Sequence, residues 1–251
     1  MERFLVLALI AGQTRVSPFL HPNRSTRIPR VVPFHFLVTS RVRPRTLPAR
    51  VMLFAFYFVV TTLGILSMGF QLLASRLLNP HFGSSIIVWA WLISTFLAAF
   101  SVGSMVGGWI SNLPPDARKR GQIIGAILAI VTLAVTAVFA RTLLSRIEIT
   151  FPDMSTGLLV SCLGIFFLPV TALSLFGPQC VQFLASRGTP PGKASGIVYG
   201  VSTLGNIAGV MLTAFALIPH FRVSTLLYLW LGVAIISLAS LVRLLRLPVS
   251  S

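Results

Sequence analysis

The chain has 251 residues, of which 55% are hydrophobic and only 10% charged, with mean hydropathy +0.92 and a formal net charge of +16. A soluble domain carries about 25% charged residues because its surface must face water, so this composition excludes an ordinary soluble domain and implies an integral protein of the lipid bilayer. The basic excess does not point to nucleic acid: nine of the twenty Lys and Arg lie in residues 1–50, and the rest gather between apolar segments, the pattern of a topology signal.

Residues 1–51 read as a basic leader. The stretch "RVSPFLHPNRSTRIPRVVPFHFLVTSRVRPRTLPAR" is rich in Arg, Pro and Ser and has no helical period. The preceding "FLVLALIAG" has the length of a signal-peptide core without a cleavage site after it. An organelle transit peptide and a translation start near Met52 are alternative origins; disorder is expected under either.

Six apolar stretches follow in a domain spanning 52–246, near 52–74, 86–110, 121–143, 156–185, 195–218 and 224–242. Each approaches the ~20 residues that cross a ~30 Å hydrocarbon core. Lipid offers no partner to unpaired backbone groups, so each is expected to be a helix. The fold class is therefore all-α, a polytopic bundle of six transmembrane helices. The fourth is long enough to tilt or bend, at Pro169 or at "GPQ" (177–179). It also holds both cysteines, Cys162 and Cys180. At 1.5 Å rise per residue they stand roughly 27 Å apart, too far for a disulfide.

Loop charge sets the orientation. With the N-terminus inside, the inner segments hold 16 Lys and Arg and the outer ones 4, as the positive-inside rule requires. "RKR" at 118–120 lies in a short loop, where the rule is strongest. Both termini are then expected on the cytoplasmic side.

Two words recur. "QLLASR" (71–76) ends the first helix and "QFLASR" (182–187) ends the fourth. "GSSIIVW" (83–89) and "ASGIVY" (194–199) open the second and fifth, and "GSMVGG" (103–108) matches "GNIAGV" (205–210) after a shift of about two turns. Helices 1 and 4 enter from opposite sides, so this reads as a three-plus-three inverted repeat, as in many secondary transporters. The pairs Gly103/Gly107 and Gly205/Gly209 permit close backbone approach. Their matching places suggest that helices 2 and 5 pack closely, against each other in the simplest arrangement. Arg76 and Arg187 end their helices where a long side chain can snorkel to headgroups, and Trp89 and Trp91 fit interfacial anchors.

The stretch "GILSMGFQLLASRLLNPHFGSSIIVWAWLISTFLAAFSVGSMVGGWISN" resembles the membrane portion of the bacterial fused major-facilitator/spermidine synthase-like proteins. "GIVYGVSTLGNIAGVMLTAFALIPHFRVSTLL" resembles the later part of the same domain. The likeness covers about residues 60–240 and implies a transporter-like bundle, half of a major-facilitator-like one, in the bacterial inner membrane. The family tends to have Glu where Gln71 stands and Asp where Asn112 stands, and its soluble aminopropyltransferase domain has no counterpart in this sequence.

The chain's acids are Glu2, Asp116, Glu148 and Asp153, none inside an expected helix. Aminopropyl transfer needs a glycine-rich nucleoside loop and carboxylates for a cationic amine, so an enzyme is not expected, nor any cofactor or metal. Transport of a polyamine or proton would normally use buried carboxylates or histidines, and His81 and His220 lie near the outer face. A cation would have to rely on the faces of Trp89, Trp91 or Tyr199. Of the polar residues within helices, Gln71, Gln179, Gln182 and Asn206 are the candidate cavity lining; hydrogen bonding between helices is their competing role. Two functions stay open. One is a small-solute transporter, with two copies pairing to twelve helices. The other is a membrane anchor or regulator of a separately encoded aminopropyltransferase-like protein, contacted through "SNLPPDARKRG" and "RGTPPGKAS".

Overall fold

The computed structural model describes residues 49–246; the leader expected over 1–51 lies almost wholly outside them. Six helices are long and apolar enough to cross a membrane. They are α1 (Ala49–Phe82), α2 (Ile86–Ser111), α3 (Pro115–Thr150), α4 (Met154–Ala185), α5 (Pro191–His220) and α6 (Val223–Leu245). Among the described residues there is no strand. The protein is an all-α polytopic bundle.

The helices outrun their apolar cores. α3 has 36 residues, about 54 Å of helix, so both of its ends project well past a ~30 Å hydrocarbon layer. Asp116 and Glu148 are thus helical after all, one on each projecting end. Apolarity stops at the headgroups, whereas backbone hydrogen bonding continues until a turn breaks it. α1 likewise runs past Arg76 through Pro80, and closes on Gly83 at φ +73°, whose N–H bonds the Asn79 carbonyl at 2.9 Å. The outward side chains are apolar, Ile86, Phe54, Met105 and Phe215 among them, as lipid contact demands.

α4 and α5 are not regular helices. A π-helical run occupies Cys162–Phe167 in α4, and another Leu212–Leu217 in α5. Each ends two residues before a proline, Pro169 and Pro219. A proline ring strikes the carbonyl four residues back and lacks the N–H that would bond it; the wider π turn relieves that crowding. The Ile165 carbonyl, four residues before Pro169, instead shares the Thr136 hydroxyl proton of α3, at 3.2 Å, with the Thr132 carbonyl at 3.0 Å. A second break falls at Leu175, just before Gly177-Pro178.

The main packings are α5 on α1, α2 on α4, α6 on α1, α3 on α4, and α3 on α6. Exchanging α1 with α4, α2 with α5 and α3 with α6 maps this set onto itself. Only lighter contacts of α3 with α1 and α2 have no comparable contact from α6. The core follows the same plan: Phe70 of α1 meets Phe96 of α2 and Phe166 of α4 at 6.0 and 6.1 Å, and Phe56 stacks on Phe183 at 4.7 Å. Trp230 of α6 donates its indole N–H to the Leu66 carbonyl at 3.0 Å.

The glycine pairs explain the arrangement, and correct the expectation that α2 and α5 meet each other. A Cβ at Gly205 or Gly209 would collide with the backbone carbonyls of Thr61 and Ile65 on α1. One at Gly103 or Gly107 would collide with those of Thr171 and Leu175 on α4. Each GxxxG helix therefore seats on the first helix of the opposite triplet. The small residues bring backbone to backbone, and the partner is chosen by the fold.

Candidate functional site

Where α1, α2, α4 and α5 come together they frame an open-sided cavity of about 260 Å³. Leu63 and Ser67 of α1 line it, and so do Leu173 and Gly177 of α4, the residues 110 positions later. Phe100 and Ser104 of α2 line it with Ser202 and Asn206 of α5, 102 positions later. These are the offsets that relate the two glycine contacts, so the hollow lies where the two triplets meet.

Its polar groups are Ser67, Ser104, Ser174, Ser202, Thr203 and Asn206. Ser67, Ser174 and Thr203 donate to carbonyls of their own helices, at Leu63, Thr171 and Tyr199, a habit of helical hydroxyls in an apolar medium. They keep only acceptor lone pairs free. Among the described residues no hydrogen bond engages the hydroxyls of Ser104 and Ser202, and the buried Oδ1 of Asn206 has no partner. Cys180 and the half-exposed Tyr199 complete the polar wall. No carboxylate, Lys, Arg or His lines the cavity. Such a site can accept and donate hydrogen bonds without offering a countercharge.

Of the four candidate lining residues, Asn206 alone reaches this cavity. Gln71 and Gln182 are half-buried elsewhere on their helices. Gln179 is buried and donates to the Leu175 carbonyl at 3.1 Å, with its Oε1 left unpaired. It supports the break in α4. Ser104 and Ser202 carry no distinguishing sequence signal, because a hydroxyl in a membrane helix reads the same at a cavity position as at a back-bonded one. The repeat itself carried the clue, since Ser104 and Asn206 each follow the first glycine of a matched pair.

The other marked residues lie apart. Arg187, just past α4, donates to the Phe183 carbonyl at 3.3 Å and lays its guanidinium 3.5 Å from the centre of the Phe183 ring. Partial burial lowers its pKa from the ordinary value. Arg76 is exposed near the opposite end of the bundle, beside a second hollow that Trp89 also borders; Trp91 packs against the core. His81 Nδ1 meets Glu148 Oε2 at 2.6 Å, joining the end of α1 to the projecting end of α3. Both cysteines are buried in α4. Among the described residues no three His, Cys, Asp or Glu gather to hold a metal. Comparison with protein families, with curated proteins and with solved structures finds no match to the chain.

Proposed function

We propose that this membrane protein handles a small uncharged solute, in the manner of a secondary transporter, through the cavity between α1, α2, α4 and α5. The observation that carries the reading is the placing of that cavity: equivalent positions of both triplets line it, at mid-helix. Inverted-repeat transporters hold their substrates at this place. An uncharged solute with hydrogen-bond donors suits the lining, because Asn206 Oδ1 and the seryl oxygens would accept from it and no charge awaits an ion. The resemblance to the membrane part of the spermidine synthase-like fusions supports a transporter-like bundle and no catalysis by this chain. The loop charges support a bacterial inner-membrane location with both termini cytoplasmic.

Cysteine accessibility tests the reading. With Cys162 and Cys180 replaced, Ser104→Cys or Ser202→Cys should react with a small membrane-impermeant thiol reagent. Ser161→Cys, at a site with 0% exposure, should stay protected. Protection of all three from both sides of the membrane would mean a dry packed core and end the proposal.

A second reading rests on Lys119, Arg120 and Lys193, exposed together at one end of the bundle. They could dock an aminopropyltransferase-like protein with an acidic face. Charge-neutral variants of the three should then abolish co-purification of that partner while leaving the labelling pattern unchanged.

A further inference from the structure

The two copies of the repeated word differ at one position, Leu72 against Phe183. Arg76 and Arg187 are equivalent, 111 positions apart, and so are Leu72 and Phe183. Arg187 spends its guanidinium on Phe183, stacking over the ring and donating to the carbonyl. Leu72 offers Arg76 no π face. Leu72 and Arg76 instead border a hollow of about 270 Å³, between the end of α1, the start of α2 and the last turns of α5.

Four side chains on the rim of this hollow can donate, beside the Ser75 hydroxyl, which donates back to the Leu72 carbonyl at 2.9 Å. They are the Arg76 guanidinium, the Asn79 amide, the Ser84 hydroxyl and the Trp89 indole N–H. None of the four is hydrogen-bonded or ion-paired among the described residues. No carboxylate of that set is available either: Glu148 pairs with His81, Asp153 caps α4 through Thr156, and Asp116 pairs with Lys119 beyond the opposite end of the bundle. Arg76 is exposed, so its guanidinium is open to a partner from solvent or lipid. The opposite wall is apolar, with Leu72, Val88, Ala214 and Ile218.

We propose that this hollow binds a phosphate group, held by Arg76 with Asn79, Ser84 and Trp89. A guanidinium fork matches phosphate oxygens two at a time, and the neutral donors fill the remaining lone pairs. Helix-end Arg and Trp lie at the depth of the lipid headgroups. A phospholipid would place its phosphodiester on the donors and its glycerol and first methylenes on the apolar wall. A free phosphate or phosphate monoester uses the same donors. The site is separate from the solute cavity and does not depend on it.

The test uses the full chain, delipidated in detergent. Retention of added phosphatidylglycerol is read by native mass spectrometry, and binding of inorganic phosphate by calorimetry. Arg76→Gln removes the charge; Leu72→Phe keeps it but fills the hollow and supplies the ring that Arg187 already has. Arg222→Gln, an exposed arginine outside the hollow, controls for loss of charge alone, and thermal unfolding confirms that each variant is folded. Both hollow variants should weaken binding by about tenfold, the scale of a charged hydrogen bond, with Arg222→Gln near wild type. That pattern for the lipid alone identifies a headgroup site; the same pattern for inorganic phosphate identifies a free-phosphate site. Equal losses in all three variants, or no binding of either probe by the wild type, would overturn the proposal.

Discussion

Gly209 rests directly on the Ile65 carbonyl, as Gly107 rests on that of Leu175. The two carbonyls are 110 positions apart, while the repeated words before Arg76 and Arg187 are 111 apart. The offset is still 110 at Ser67 and Gly177 and has become 111 at Gln71 and Gln182, so the extra residue falls between Gly177 and Gln182, just past the break at Leu175. The glycine contacts keep one offset on both sides while the words near the helix ends keep another.

Gly209→Val and Gly107→Val should each lower stability by more than the ~1–3 kcal/mol of ordinary overpacking, because the new side chain meets backbone and has nowhere to move. Gly196→Ala, where a Cβ meets nothing within 4 Å, should be neutral or slightly stabilising. Thermal unfolding in detergent separates the two outcomes. Equal tolerance at Gly209 and Gly196 would contradict the backbone contact.

Trp230→Phe keeps most of the buried ring but removes the indole donor to Leu66. The expected cost is about 1 kcal/mol, read as an earlier unfolding midpoint. Gly69→Ala should cost more, since its Cβ would run into the Trp230 ring and the Thr213 hydroxyl.

Thr136→Val removes the hydroxyl that serves the Ile165 carbonyl in place of the N–H that Pro169 lacks. The side chain is 2% exposed, so water cannot substitute, and a loss of about 1–3 kcal/mol follows. In a Pro169→Ala background the penalty should shrink, because a backbone N–H is restored at that position. A double-mutant cycle on unfolding midpoints measures the coupling.

Asp153 is the N-cap of α4 and accepts from the Thr156 hydroxyl at 2.7 Å and from the Thr156 backbone N–H at 2.8 Å. The hydroxyl first and then the N–H hold its carboxyl below the ordinary 3.8. A depressed folded value means that the charged cap contributes stability above pH 3.8, and loses it as the pH falls through the lowered value. Asp153→Ser should keep the cap bond and flatten that acid limb of the pH–stability curve. Asp153→Ala should lower the midpoint at neutral pH as well.

The six crossings were legible because periodicity is not needed to recognise a span: a run of apolar residues long enough for the bilayer admits little but a helix. Their ends were less so. The projecting turns of α3, with Asp116 and Glu148, are polar helix, which composition does not distinguish from loop. Asn206 could be picked out as a polar residue in an apolar helix, whereas Ser104 and Ser202 could not, since serine is equally at home bonded to its own backbone.

Residue order alone gives the number of apolar spans and the likeness of "QLLASR" to "QFLASR", because solvent preference and repeated words are written locally. Only the tertiary structure decided that α5 sits on α1 and α2 on α4, that a hydroxyl-lined cavity lies where they meet, and that Leu72 leaves open what Phe183 closes. Those outcomes depend on which backbone a glycine lets approach and which ring lies beneath a guanidinium, and such pairings join residues far apart in the chain.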